Sequence, residues 1–148
     1  MLEPGDKAPA FTLPDLDGAE TTLAGLLERG LPVVLVFASP VCGPCQQLIP
    51  ELARWNAAVR DSVSVVVIES GMGQFEDLTA QLPASDGLTM VVEPGLEIAA
   101  AYRVNQTPTA IAIAPDGTIS SAPTPGAGAI ERLVRSTLKQ RQAQLVQA

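Results

Sequence analysis

Residues 37–50, FASPVCGPCQQLIP, place a Cys-Gly-Pro-Cys segment where a strand pattern gives way to a helix pattern. The stretch before it is rich in β-branched residues, with Val33, Val34 and Val36. After it, Leu48, Leu52, Trp55 and Val59 recur at helical spacing and line one apolar face. Cys42 therefore falls at a helix N-terminus, where unpaired N–H groups and the positive end of the macrodipole favour an anion. A thiol in that position has a lowered pKa, and the thiolate is the nucleophile. Cys45 follows about one turn later, within reach of a mixed disulfide formed on Cys42. Pro44 suits the first turn, where a missing N–H removes no helical hydrogen bond. A strand, a reactive dithiol and a helix in this order predict redox chemistry.

Several other chemistries are excluded by composition. The 148 residues contain no histidine, so Ser-His and Cys-His pairs, haem attachment through CxxCH and histidine-containing metal sites are all absent. Cys42 and Cys45 are the only cysteines, and two cannot close a structural zinc site. No metal and no cofactor are expected. A net charge of −7 argues against a general nucleic-acid binder. Hydrophobic residues make up 47% and charged residues 17%, a globular balance, and the length fits a single domain over 1–148. No stretch reaches the roughly 18 apolar residues of a membrane span, and no signal peptide precedes Pro4. The last twenty residues carry Arg132, Arg135, Lys139 and Arg141 against a single acid, Glu131. A solvated helix face explains them better than a membrane or partner contact.

Along the chain, residues 4–20 predict a short hairpin, with Phe11 and Leu13 alternating against polar positions and Asp17-Gly18 as the turn. A short helix is expected over 21–29, stopped by Gly30 and Pro32, and a buried strand over 31–39. The helix of about 42–60 contains Pro50, which should kink it. Residues 62–70 read as a second buried strand, 74–82 as a modest helix ended by Pro83, 89–92 as a third strand and 96–104 as a helix. Strand 109–114 follows, then the turn Pro115-Asp116-Gly117 and an edge strand at 118–121. A Gly- and Pro-rich link over 123–128 leads to a final amphipathic helix with Ile130, Leu133, Val134 and Leu138 on one face. This order predicts an α/β fold with a mixed central sheet flanked by helices. Trp55 reads as core, and Tyr102-Arg103 as packing ahead of a role in holding a partner. Glu69, at a strand end, and Glu93, before Pro94, read as solvated turn residues first and as neighbours of the site that tune thiol pKa second.

The CGPC at 42–45, Pro50 five residues after Cys45, and Thr107-Pro108-Thr109 before a strand-turn-strand ending resemble the thioredoxin superfamily over nearly the whole chain. The opening GDKAPAFTLPDLDG, with its N-terminal hairpin, and the inserted helix-strand segment at 71–94 are similar to the TlpA-like branch. The resemblance implies a thiol-disulfide oxidoreductase with Cys42 and Cys45 catalytic and Gly43 and Pro44 supporting the motif. It implies a cis-proline at Pro108 and a Thr107 backbone free to bind substrate, strand to strand. It also implies partner-protein disulfides as substrates and an upstream dithiol as electron donor, and it favours an extracytoplasmic location over a cytoplasmic one; a monomer is expected. The Gly-Pro pair matches thioredoxin's own and implies a reductant.

Departures from the pattern are local. Val41 stands where thioredoxin-like proteins commonly have tryptophan, and Val36 replaces the buried acid that thioredoxins carry six residues before the first cysteine. Leu48 stands where some cytochrome-maturation members place a glutamate. No protein base for Cys45 is therefore expected. Two alternatives share the fold. A peroxiredoxin-type peroxidase needs a proline seven residues and a threonine or serine three residues before its cysteine; Ser39 fits and Leu35 does not. A Cu(I)-binding chaperone of the Sco type needs a histidine that this chain lacks.

Overall fold

The computed structural model describes residues 2–80, 82 and 87–147. Its frame is a five-stranded sheet built from β3 (Val33–Ala38), β4 (Ser64–Gly71), β5 (Thr89–Pro94), β6 (Thr109–Ile113) and β7 (Thr124–Pro125), in the order β5-β4-β3-β6-β7. β3, β4 and β5 run parallel, while β6 is antiparallel to β3 and β7 antiparallel to β6. Every residue of β3 is buried, as its unalternating apolar sequence requires of a central strand covered on both faces.

Strand alternation divides the core in two. Val34, Val36 and Ala38 point to one face, together with Val65 and Val67 of β4. There they meet Cys45, Leu48, Ile49 and Leu52 of α2 (Gly43–Val59) and Ile130 and Val134 of α5 (Ala127–Gln147). Val33, Leu35 and Phe37 point to the other face, against Phe11, Leu13, Leu23, Ala99 and Tyr102. That layer comes from the antiparallel hairpin β1 (Thr12–Pro14) and β2 (Glu20–Thr22), from α1 (Leu23–Leu27) and from α4 (Glu97–Ala101). The hairpin turns at Asp17-Gly18 as expected, with Gly18 at φ 87° and the Asp15 carboxylate accepting from the N–H groups of Asp17 and Ala19. α1 is capped by the Thr22 hydroxyl, which accepts from Gly25 N–H at 2.9 Å.

α2 continues as one helix through Pro50, which is exposed. Three expectations are adjusted. The helix expected over 74–82 is shorter, α3 (Phe75–Thr79), and Pro83 lies outside the described residues. α4 also stops early, where Arg103 turns to φ 61°. Residues 118–121 form only bridges rather than an edge strand. After Ser120 donates its N–H to Ala112 O, the Ala112 N–H is taken by the Ser121 hydroxyl at 2.9 Å. A side chain thus ends the backbone ladder, and the sheet edge passes to β7, inside the stretch expected to be a link. On α5, Arg132, Arg135 and Lys139 are exposed, with Glu131 bridging to Arg135 at 2.8 Å. That is the solvated face expected. No described helix is long and apolar enough to cross a membrane.

Candidate active site

β3 delivers the chain to the C-terminal end of the sheet, where Ser39, Pro40 and Val41 turn it into α2. The turn is closed by Cys42 N–H donating to Ser39 O at 3.0 Å. It is latched by the Gln46 amide donating to Pro40 O at 3.0 Å. Cys42 then occupies the N-cap with extended dihedrals, φ −91° and ψ 110°. Its Sγ accepts the Cys45 N–H at 3.2 Å, the task an aspartate or serine oxygen performs at ordinary N-caps. Gly43 and Pro44 fill the exposed first turn.

Cys42 and Cys45 are joined as a disulfide, their Cα atoms 5.2 Å apart. Their surroundings differ sharply. Cys42 is half-buried, whereas Cys45 is 1% exposed and packed into the core beneath α2. An incoming sulfur therefore reaches Cys42 and not Cys45. When reduced, Cys42 keeps the N–H donor and the positive helix end, both of which favour its thiolate.

The second wall comes from 65 residues further along the chain. Because β6 pairs with β3 through Phe37↔Thr109, the loop before β6 lies at the same sheet end as the cysteines. The Thr107–Pro108 bond is cis, and Thr107 O lies 3.7 Å from Cys42 Sγ. Pro108 O accepts from Gly126 N–H at 3.0 Å, and the Thr109 hydroxyl donates to Gln106 O at 2.8 Å, so the loop is held from both sides. Among the described residues, the Thr107 N–H has no backbone partner. Cys42, Cys45, Thr107 and Pro108 thus form one constellation. Beside it opens a cleft of about 620 Å³ lined by Pro40, Val41, Met72, Leu78, Leu96 and Thr107, among others.

The two acids expected in solvated turns are instead buried. Glu93 is 4% exposed and fully engaged: its carboxylate accepts from the Ser70 hydroxyl at 2.8 Å and from the N–H groups of Ile98 and Ala99 at the start of α4. Glu69 is 0% exposed, and neither carboxylate oxygen has a partner among the described residues. Burial pushes its pKa from 4.5 up to about 7. Both lie inside paired strands rather than at their ends, since β4 and β5 continue to Gly71↔Pro94. The signal was present in SVSVVVIES: counting alternate residues from Val65 and Val67 puts Glu69 on the α2 face. Val36 and Leu48 are core residues, as their types imply. Tyr102 is fully buried, donating its hydroxyl to Pro9 O at 2.5 Å with its ring 5.4 Å from Phe37. Burial raises its pKa above the ordinary tyrosine value. Trp55 is half-buried against the α2-side core. Among the described residues no group of three or more metal-ligating side chains occurs.

A cysteine pair at a helix N-terminus, facing a cis-proline across the end of a mixed sheet, defines a protein of thioredoxin fold. The chain belongs to the AhpC/TSA family, whose model matches residues 4–122. It is similar to the methylamine utilization protein MauD of Methylorubrum extorquens, 31% identical over 78% of this chain and 54% of that protein. It is also similar to the thiol-disulfide oxidoreductase ResA of Halalkalibacterium halodurans, 28% identical over 85% of this chain and 71% of ResA. The chain spans about half the length of the MauD proteins it matches. Among solved structures, one from Chlorobium tepidum assigned as thiol:disulfide interchange protein DsbE superposes with a TM-score of 0.77. The identity there is 27%, over 93% of this chain and 99% of that one. These relatives agree with the TlpA-like resemblance in the sequence.

Proposed function

We propose that this chain is a thiol-disulfide oxidoreductase that reduces disulfides of partner proteins. The observation that carries the reading is the state of Cys42: accessible, at the N-cap of α2, with Sγ accepting the Cys45 N–H and facing Thr107. In the reduced protein the Cys42 thiolate attacks one sulfur of a substrate disulfide and expels the other as a thiolate. Cys45 then loses its proton and attacks Cys42 Sγ, which releases the second substrate thiolate and leaves the Cys42–Cys45 disulfide. Two electrons and two protons pass to the substrate, and an upstream dithiol restores the enzyme by the reverse exchange.

The partner chain is bound in extended form by the Thr107 N–H, which lies beside Pro108 and has no backbone partner among the described residues. Its apolar side chains are received by the adjacent cleft, whose rim carries Val41, Met72 and Leu96 at 85%, 80% and 52% exposure. The protein acts as a single-domain monomer, outside the cytoplasm like the proteins its sequence resembles. The peroxidase reading has weaker support, because Leu35 is a fully buried core residue where that chemistry calls for a proline. The copper reading lacks a third ligand in a chain without histidine.

The test separates the two cysteines. Cys42→Ser is expected to abolish attack on an insulin disulfide, whereas Cys45→Ser attacks once and accumulates mixed disulfides resolvable on non-reducing gels. Equal loss of the first attack in both variants refutes these roles. Partners trapped by Cys45→Ser also report the compartment.

A further inference from the structure

We propose that Glu69 is the proton acceptor for Cys45, the base that releases the buried second thiol when the mixed disulfide is resolved. This rests on the oxidoreductase reading above. Cys45 is 1% exposed, so solvent does not reach its proton directly. Val36 and Leu48, in the same buried layer as Cys45, are apolar and offer no base. Glu69 lies on the same side of the sheet as Cys45, at the same end. Its Cα partners across the sheet are Ala38 on β3 and Val92 on β5. Ala38 sits four residues before Cys42 and packs in one cluster with Cys45, Leu48 and Ile49. Ala38, the small cross-strand neighbour of Glu69, thus belongs to the same buried layer as the first turns of α2.

A fully buried carboxyl with two unpartnered oxygens is costly unless its position serves another purpose. Its neighbours offer no compensation. β3 and β5 present Ala38 and Val92, neither of them titratable, and every described lysine and arginine is exposed except Arg141 on α5, which is half-buried with its Nε covered. Glu93 lies on the opposite face, and Glu76 and Asp77 of α3 are exposed. On α2, Cys45 is the buried titratable group. Burial holds the carboxyl near neutrality, so ionised and protonated forms are both populated at physiological pH. In the step itself, the Glu69 carboxylate takes the Cys45 S–H proton. The resulting thiolate forms the bond to Cys42 Sγ, and the Cys42–substrate S–S bond breaks with both its electrons leaving on the substrate sulfur. The proton returns from Glu69 when the upstream dithiol regenerates Cys45 as a thiol.

An aromatic disulfide with a coloured thiol product separates the two steps, because the first equivalent reports Cys42 attack and the second reports Cys45 resolution. In the reduced wild-type protein the second release should rise with pH to a plateau through a midpoint near 7. In Glu69→Gln the first release is expected to match wild type. The second should slow at least ~10-fold at pH 7 and lose that midpoint, as removal of a general base implies. Glu69→Asp, which keeps the ionisation, should recover part of the rate. A second-release profile in Glu69→Gln that superimposes on wild type overturns the proposal. A first release that survives in Cys42→Ser overturns the oxidoreductase reading instead. A measurement on the unmodified chain guards against a misfolded variant: the 13C carboxyl titration of Glu69 should shift by at least ~0.5 pH unit between oxidised and reduced protein. An unmoved midpoint refutes the coupling.

Discussion

Replacing Glu69 by glutamine should change how stability depends on pH, and the size follows from burial alone. The carboxyl has a pKa of about 7 in the folded chain against 4.5 in its ordinary state, so the folded protein holds this proton more tightly than the unfolded chain does. Between those values the unfolded state binds fewer protons, and stability must fall as pH rises. The contribution is fully present below pH 4.5, is lost through about 7 and levels off above it. At ~1.4 kcal/mol per unit, the loss is roughly 3 kcal/mol, a large share of the ~5–15 kcal/mol typical of a domain. Glutamine carries no proton linkage, so Glu69→Gln should not show this decline. Guanidinium unfolding of the oxidised protein, followed by the fluorescence of its one tryptophan, Trp55, gives both curves from pH 4 to 8. Asp116, whose pKa is lowered by hydrogen bonds from Thr118, titrates in both proteins and cancels in the difference. The variant should gain roughly 3 kcal/mol on wild type across that range. A difference that stays flat with pH refutes the claim that Glu69 is buried without a counter-charge.

Two further substitutions test the frame around the site. Tyr102→Phe keeps the ring against Phe37 but leaves Pro9 O without its donor, and should cost about 1–2 kcal/mol in denaturant unfolding. Gly126→Ala meets no atom within 4 Å, yet φ at this position is +91°, so backbone strain alone should cost about 1–3 kcal/mol. Because the Gly126 N–H also holds Pro108 O, hydrogen exchange over residues 105–109 should quicken in that variant.

The sheet and its two long helices were legible because their signals are local and redundant. β3 is a continuous apolar run, β4 holds one over 65–68, and α2 repeats its apolar stripe over several turns, so one misread residue changes nothing. The cysteine pair and the Thr-Pro loop were legible as motifs. That the two meet depends on the Phe37↔Thr109 register, which no local pattern specifies. The edge after β6 was misread for a related reason. Pro115-Asp116-Gly117 does form its turn, but a single hydroxyl, Ser121, ends the ladder that should have followed. Glu69 stood at the end of the strand expected over 62–70, and because acids are rare in strand interiors the solvated reading was preferred to one beside the site. Only the continuation of pairing to Gly71 shows that the strand had not ended.

Burial and helix polarity give the two sulfurs opposite characters, and this sets the order of events. Cys42 has a backbone N–H on its sulfur, a positive helix end and partial access to solvent, so charge is stable there before any substrate arrives. Cys45 has an apolar wall of Leu48, Ile49 and Ala38, with a carboxyl in place of a cation nearby, and both raise the cost of its thiolate. In the resting dithiol the proton therefore stays on Cys45, and the pair does not compete for substrate. Once Cys42 is bound in a mixed disulfide, its charge is gone and a thiolate at Cys45 is no longer opposed by it. In the proposed exchange, removing the Cys45 proton is then the remaining requirement, and a base that titrates near neutrality would meet it. An acid as strong as an exposed glutamate would be ionised at all times, adding a permanent negative charge beside Cys45. An amide would provide neither charge nor base. A carboxyl buried without partners among the described residues reaches that range by desolvation alone, at a stability cost that the pH dependence of unfolding makes measurable.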